Sequence, residues 1–308
     1  MPANSLMKDV LIIGGGPGGL ATATALARQL YTAVGFDSGV YRNAHTSHMH
    51  NVPTWDHRDP REFRAKARAD LLVRYSTIQF EETAVARLTP RARCGPMWTG
   101  RKVVLATGMR DVYPDIAGYD DVWGRGVYHC LFCDGYEERG AASVGVLAID
   151  DLGKALFALH VARMAKRLAK KVVVYSHGAP ELSREIRAAM GNDPVIVFDD
   201  RRVTRLQKAN QGSPEVIVHL EDGTTVSQGF IAHKPKTQIN GPFVEQLGLE
   251  ITDMGVIKTS SPFYETSVPG VFAVGNCASF MPAVVNAFSM GLFVAGGIAA
   301  QLGAEPTE

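Results

Sequence analysis

Cys130 and Cys133 stand two residues apart in the run Val127-Tyr128-His129-Cys130-Leu131-Phe132-Cys133-Asp134-Gly135-Tyr136-Glu137. At that spacing two thiols can close into a small-ring disulfide and reopen, and the motif lowers the pKa of one thiol so that it attacks as thiolate. Half of a zinc site and a structural disulfide are the other readings of such a pair. A zinc site needs two more ligands, and the remaining cysteines, Cys94 and Cys277, stand alone and form no second Cys-x-x-Cys. The pair therefore points to redox chemistry, with His129 and Asp134 flanking it as candidate acid/base groups. Such chemistry needs an electron donor or acceptor elsewhere in the chain.

The element expected to hold one opens the sequence. Residues 8–13 read as a short apolar strand, followed directly by Gly14-Gly15-Gly16-Pro17-Gly18-Gly19 and a helix-forming run over 20–30. Gly14, Gly16 and Gly19 fit G-x-G-x-x-G, whose glycines allow a tight turn, close approach of backbone to a pyrophosphate, and helix-on-strand packing. A second strand, 31–36, ends at Asp37, placed to hydrogen-bond ribose hydroxyls. Nicotinamide and flavin dinucleotides share this motif, so the choice between them rests on later segments.

The bulk properties are those of a soluble globular chain. Its 308 residues suffice for two domains, each with its own core. With 46% hydrophobic residues, 20% charged and a formal net charge of +1, nothing draws it to nucleic acid or an anionic membrane. The N-terminal residues carry no apolar run, no segment is expected to span a membrane, and the C-terminus matches no address signal. One Cys-x-x-Cys among four cysteines suits a reducing compartment, so a cytoplasmic location is expected.

Two strand ends decide the cofactor. Lys102-Val103-Val104-Leu105-Ala106-Thr107-Gly108 ends in Ala-Thr-Gly, and Gly270-Val271-Phe272-Ala273-Val274-Gly275-Asn276 ends in Gly-Asn. Together with the glycine loop they resemble the three FAD signatures of the flavoprotein disulfide reductases. The resemblance implies an α/β fold of two Rossmann-like, three-layer ββα dinucleotide-binding domains, the second inserted into the first. The expected parts are 1–112 and 236–308 for FAD and 113–235 for the insert that carries the cysteines. The family usually has Asp where this chain has Asn276.

The insert departs from a working nicotinamide domain. A strand over 141–149 and a helix over 152–171, with Leu156, Leu159, Val161, Met164 and Leu168 toward one face, enclose the loop Gly145-Val146-Leu147-Ala148-Ile149-Asp150-Asp151-Leu152-Gly153. Asp150 and Asp151 stand where the helix start would receive a pyrophosphate, able to cap the helix and repelling phosphate. The next strand, 172–175, runs into Ser176-His177-Gly178-Ala179, without the arginines that hold a 2′-phosphate.

More narrowly, the chain resembles the low-molecular-weight thioredoxin reductases, and within them the fungal thioredoxin-reductase-like dithiol oxidases of the gliotoxin type. The match rests on Cys130-Leu131-Phe132-Cys133 with Asp134-Gly135-Tyr136-Glu137, on His48-Met49-His50 with Trp55-Asp56-His57, on Trp98-Thr99-Gly100-Arg101-Lys102, on Lys234-Pro235-Lys236-Thr237 and on the eroded loop. It implies that Cys130 exchanges with a small-molecule dithiol, that Cys133 lies nearest the flavin, and that dioxygen is the final acceptor, in a homodimer. It further implies FAD contacts at Gly14, Gly16, Pro17, Gly19, Asp37, Ser38, Arg42, Asn43, His50, Val85, Thr107, Gly108, Gly275, Asn276, Ala283 and Val284. An NADPH-dependent disulfide reductase, and a flavin-carrying redox sensor or catalytically inactive binding protein, remain as alternatives.

Other segments read as support. The histidines of 45–57 would allow a metal site, but a flavin loop and substrate wall explain them as well, and no metal is expected. Asp59-Pro60 reads as a helix cap opening a scaffold helix over 61–75. Residues 77–98 offer only strands at 78–80 and 83–88, short beside the meander of the reductases that the chain resembles. Pro282 is expected in the first turn of a last helix, and Cys277 as a buried, inert thiol.

Overall fold

A computed structural model describes residues 7–89 and 98–305. Cys94 lies outside the described residues. The chain divides into two units, one holding the residues up to Ala44, Val52–Arg110 and those from Thr237 onward, the other His45–Asn51 and Asp111–Lys236. The segment 45–51, expected with the first domain, thus belongs to the second unit.

In the first unit β1 (Met7–Ile13) leads through the glycine loop into α1 (Pro17–Ala27), then β2 (Ala33–Phe36), α2 (Pro60–Arg74), β3 (Ile78–Glu81) and β4 (Thr99–Leu105). The chain leaves this unit in β5 (Met109–Val112). Asp59 caps α2 as expected, its carboxylate accepting from the Arg61 N–H at 2.6 Å. The expected strand at 83–88 does not form. The Gln246 side chain ties two of its backbone groups instead, accepting from Leu88 N–H at 2.8 Å and donating to the Ala86 carbonyl at 3.1 Å.

The second unit starts with α3 (Tyr119–Val122), β6 (Val127–Tyr128) and the single turn α4 (Leu131–Asp134). There follow β7 (Val144–Leu147), α5 (Ala155–Ala165), β8 (Val172–Tyr175), α6 (Pro180–Met190) and β9 (Ile196–Asp199). Then come β10 (Val203–Lys208), β11 (Val216–Leu220), β12 (Thr225–Gln228) and β13 (Ile231–Ala232). The parallel sheet β6-β13-β7-β8-β9 is covered on one face by α5 and α6 and on the other by the antiparallel sheet β10-β11-β12. This gives the three layers expected. The helix after β7 is shorter than the run 152–171, and it buries Ala158, Leu159, Ala162 and Ala165, whereas Leu156 is 75% exposed.

The chain returns through β14 (Lys236–Ile239) to α7 (Phe243–Leu247), β15 (Val271–Ala273) and α8 (Val284–Ala304), which complete the first unit. Its sheet, β15-β4-β1-β2-β3, is parallel throughout. The order reverses between β1 and β4, and ligands of open parallel sheets bind at the carboxyl ends of strands at such a point. The 21 residues of α8, with a mean hydropathy of 1.5, are long and apolar enough to cross a membrane, contrary to the expectation of no such segment. In this fold α8 packs against α1, where a Cβ on Gly291 would lie 2.8 Å from the Gly18 carbonyl oxygen.

Candidate active site

The glycine loop sits at the carboxyl end of β1. Gly14 has φ +123°, and a Cβ there would overlap the Ala106 carbonyl at the end of β4; a Cβ on Gly19 would overlap the Gly14 carbonyl itself. Both positions therefore require glycine. At Gly16, by contrast, an added Cβ meets nothing within 4 Å. Gly16 supplies no side-chain cap to α1, so the first N–H groups of the helix, which begins at Pro17, face an open cradle of the kind that receives a pyrophosphate.

Asp37 follows β2 and is buried. Its carboxylate accepts from the Gly39 N–H at 3.0 Å and from the Tyr41 hydroxyl at 2.5 Å, with Arg68 at 3.7 Å. Burial, reinforced by the hydrogen bond to Asp37, pushes the Tyr41 phenol far above its ordinary value. The Arg64 guanidinium stacks on the Tyr41 ring at 3.7 Å and donates to Asn43 Oδ1 at 2.8 Å. The helix α2, expected as scaffold, therefore shapes the turn after Asp37 through Arg64 and Arg68. Sequence reasoning missed both, and Tyr41 with them. Arg42 is half-buried in the same turn, and Ser38 is exposed, its hydroxyl accepting from the Val40 N–H at 3.4 Å.

Thr107 and Gly108 follow β4, where their carbonyls accept from the Asn240 side chain at 3.0 Å and from its backbone N–H at 3.2 Å. Gly275, with φ +73°, and Asn276 open a short 3-10 turn after β15. Cys277 is fully buried, its thiol donating to the Leu105 and Val274 carbonyls, and burial raises its pKa. Val85 packs partly buried beside the cluster of Leu11, Phe36 and Leu105. Ala283 is the residue before α8 and gives it no side-chain cap; Val284 is its first residue. Pro282 thus precedes the helix instead of lying in its first turn. The carboxyl ends of β1, β2, β4 and β15 accordingly carry most of the expected cofactor positions.

The cysteines lie in the second unit. Cys130 and Cys133 are joined by a disulfide, with their Cα atoms 5.2 Å apart. Cys130 precedes α4, and its carbonyl accepts from the N–H groups of Cys133 and Asp134, each at 3.1 Å. The leucine between them is buried and the phenylalanine is 75% exposed, so the turn is anchored on one side and open on the other. His129 packs on the Trp123 ring, with centroids 5.7 Å apart.

Asp134 carries the most informative perturbation. Burial pushes its carboxyl up to about 6, opposed by the charge of His50 and reinforced by Glu137 and Glu138. That value suits a group taking up and returning protons near neutrality. Tyr128 donates to Glu138 at 3.2 Å, and burial raises the pKa of both. His50, expected on the cofactor side, is placed here, with Nδ1 2.5 Å from the Cys133 carbonyl oxygen and Nε2 3.3 Å from Glu137 Oε1.

The loop after β7 departs from the expected cap. Neither Asp150 nor Asp151 caps α5, which starts after Lys154. Asp150, at φ +52°, lies 3.6 Å from His233 Nε2 and 3.8 Å from Lys236 Nζ, and Asp151 pairs with Lys234 at 3.1 Å. His233 is buried, with Nδ1 2.7 Å from the Tyr119 hydroxyl, and is held by burial down at about 3 and therefore neutral. A cavity of about 310 Å³ beside this loop is lined by Ile149, Ser176 and His177 and by the carboxylates of Glu181 and Glu185. Arg202, which the sequence reading did not single out, lies against Gly178 at 3.2 Å from where a Cβ would stand.

The profile of the pyridine nucleotide-disulphide oxidoreductases matches residues 8–291. The chain belongs to this family. As a member it is a flavoprotein oxidoreductase acting on sulfur, and the family binds FAD. The chain is 42% identical over 311 residues to the thioredoxin reductase sirT of Leptosphaeria maculans, covering 96% of this chain and 95% of that protein. It is 43% identical over 304 residues to the thioredoxin reductase aclD of Aspergillus oryzae, covering 96% of each. Among solved structures it is similar to an oxidoreductase from Agrobacterium tumefaciens, at 28% identity and a TM-score of 0.84 over 97% of this chain and 100% of the other. It is also similar to HlmI, at 29% identity and a TM-score of 0.82 over 96% and 92% of the two chains. The family fold accounts for the glycine cradle and the Cys-x-x-Cys pair together, and the uncapped start of α1 beside open space at Gly16 fits an FAD pyrophosphate.

Proposed function

We propose that this chain is an FAD-dependent dithiol oxidase, closing a disulfide in a small-molecule dithiol of secondary metabolism with dioxygen as acceptor. The observation that carries the direction is the second nucleotide loop. Its two carboxylates are ion-paired with Lys234 and Lys236 where a nicotinamide dinucleotide would need a free helix start, and Glu181 and Glu185 line the adjoining cavity.

A substrate thiolate attacks Cys130, breaking the Cys130–Cys133 bond and forming a mixed disulfide; the second substrate thiol attacks the substrate sulfur of that bond and leaves as part of a cyclic disulfide. The protein then holds two thiols. Asp134 accepts and returns the protons as the sulfurs change state, a role its pKa of about 6 permits, with His129 as the other candidate. Two electrons and two protons per cycle reduce dioxygen to hydrogen peroxide, so the cycle balances. FAD, when bound, supplies the two-electron relay between sulfur and oxygen. Gly14, Gly16, Pro17 and Gly19 would hold its pyrophosphate, and Asp37, Ser38, Arg42 and Asn43 its adenosine side. Val85, Thr107, Gly108, Gly275, Asn276, Ala283 and Val284 would line the remainder. A homodimer belongs to the same proposal.

A second reading, NADPH-dependent disulfide reduction, is favoured by the names of the similar fungal proteins. Anaerobic addition of micromolar NADPH separates the two. The oxidase leaves the flavin absorbance unchanged with NADPH, bleaches it with a dithiol, and forms peroxide over many turnovers in air. Bleaching by NADPH, or full turnover after Cys130→Ser with Cys133→Ser, overturns the proposal.

A further inference from the structure

The segment His45–Asn51 folds with the second unit and lies on the redox turn. Met49 is buried, and beyond it two consecutive side chains engage consecutive carbonyls of the turn. Asn51 Nδ2 donates to the Phe132 carbonyl at 3.0 Å, and His50 Nδ1 is 2.5 Å from the Cys133 carbonyl oxygen. On its other side His50 Nε2 is 3.3 Å from Glu137 Oε1. A carbonyl oxygen only accepts, and so does an ionised carboxylate. A protonated imidazole in this place can donate from both ring nitrogens, to the Cys133 carbonyl and toward Glu137, and sets a positive charge against the Cys133–Asp134 peptide. The ionisable groups facing Asp134 are His50, Glu137, Glu138 and Tyr128, and of these His50 alone can be a cation.

We propose that His50, held by Glu137, is a positioning residue of the redox site: it fixes the Cys133–Asp134 peptide and supplies the positive charge that favours the reduced, thiolate-bearing state of the cysteine pair. The proposal rests on the redox activity of Cys130 and Cys133 and on neither the direction of turnover nor the identity of the substrate. It extends to His50 the rule that a nearby cation stabilises thiolate. Glu137 acts through His50, orienting the ring.

The test uses the FAD-loaded protein under nitrogen in glutathione redox buffers, with no substrate and no oxygen. Two glutathione molecules reduce the pair and leave as glutathione disulfide, and alkylation followed by mass measurement counts the reduced fraction. His50→Gln is expected to shift the equilibrium about tenfold toward the disulfide, about 30 mV for two electrons. It is also expected to move the acid limb of the reduction rate to higher pH, because the charge that keeps Asp134 ionised is gone. Asn51→Gly, which loosens the Phe132 carbonyl without changing charge, leaves the limb in place. A shift below twofold in His50→Gln, or identical profiles for His50→Gln and Asn51→Gly, overturns the proposal. Should His50→Gln fail to fold, His50→Asn carries the same test in the same buffers, and a shift below twofold overturns the proposal equally. Loss of turnover in air with the glutathione equilibrium intact would count against the oxidase reading alone.

Discussion

Replacing Asp134 by asparagine removes a carboxyl that the fold keeps largely protonated until about pH 6. Its pKa is raised from an ordinary 3.8 to about 6, so the folded chain binds more protons than the unfolded one across that window. Stability contributed by this group is fully present below about pH 4, is lost as pH rises toward 6, and stays lost above it. At about 1.4 kcal/mol per pH unit the full shift corresponds to about 3 kcal/mol, and solvent at the open side of the turn reduces this to about 1–2 kcal/mol. Asp134→Asn has no charge to desolvate. It should therefore be more stable than the parent by about 1–2 kcal/mol at pH 8 and indistinguishable near pH 4, measured by urea unfolding at the two pH values. The same change removes the proposed proton carrier, so the rate of disulfide reduction by a dithiol should fall about 10²–10⁴-fold and lose its acid limb. A variant less stable than the parent at pH 8, or one exchanging at the parental rate, would refute the assignment of Asp134 as a buried, proton-carrying carboxyl.

Gly19→Ala places a methyl group against the Gly14 carbonyl and should open the cradle: protein passed through a desalting column is expected to lose its visible flavin absorbance while the second unit keeps its Cys130–Cys133 chemistry. Cys277 is fully buried with its thiol bonded to two carbonyls, so a thiol reagent added to the native protein should leave it unmodified and reach it only in denaturant. Labelling of Cys277 in the native state would show that the β4–β15 end of the first sheet opens.

Much of the fold was legible in the sequence because it is locally encoded. The Asp59 cap, the glycine loop between β1 and α1 and the Cys-x-x-Cys turn each depend on residues within a few positions of one another. Where a segment's state depends on a distant partner, the sequence misled. Residues 83–88 have strand composition, but Gln246, about 160 positions away, bonds the Leu88 N–H and the Ala86 carbonyl. Leu156 has a helical spacing shared with Leu159, but the packing of α5 on the sheet chose Ala158, Leu159 and Ala162. The apolar length of α8 would suit a membrane, and only its packing on α1 makes it a core helix.

The chemistry divides in the same way. The order of residues along the chain determined that a redox-active cysteine pair and a dinucleotide cradle exist, since both motifs are short and their geometry follows from spacing and glycine content. Tertiary structure alone decided what surrounds them: His50 on the Cys133 carbonyl, Arg64 and Arg68 around the Asp37 turn, and Lys234 and Lys236 on the carboxylates after β7. Charges act through space over several ångströms whatever their separation along the chain, so the partners that set a proton affinity or close a phosphate site are fixed only once the chain has folded.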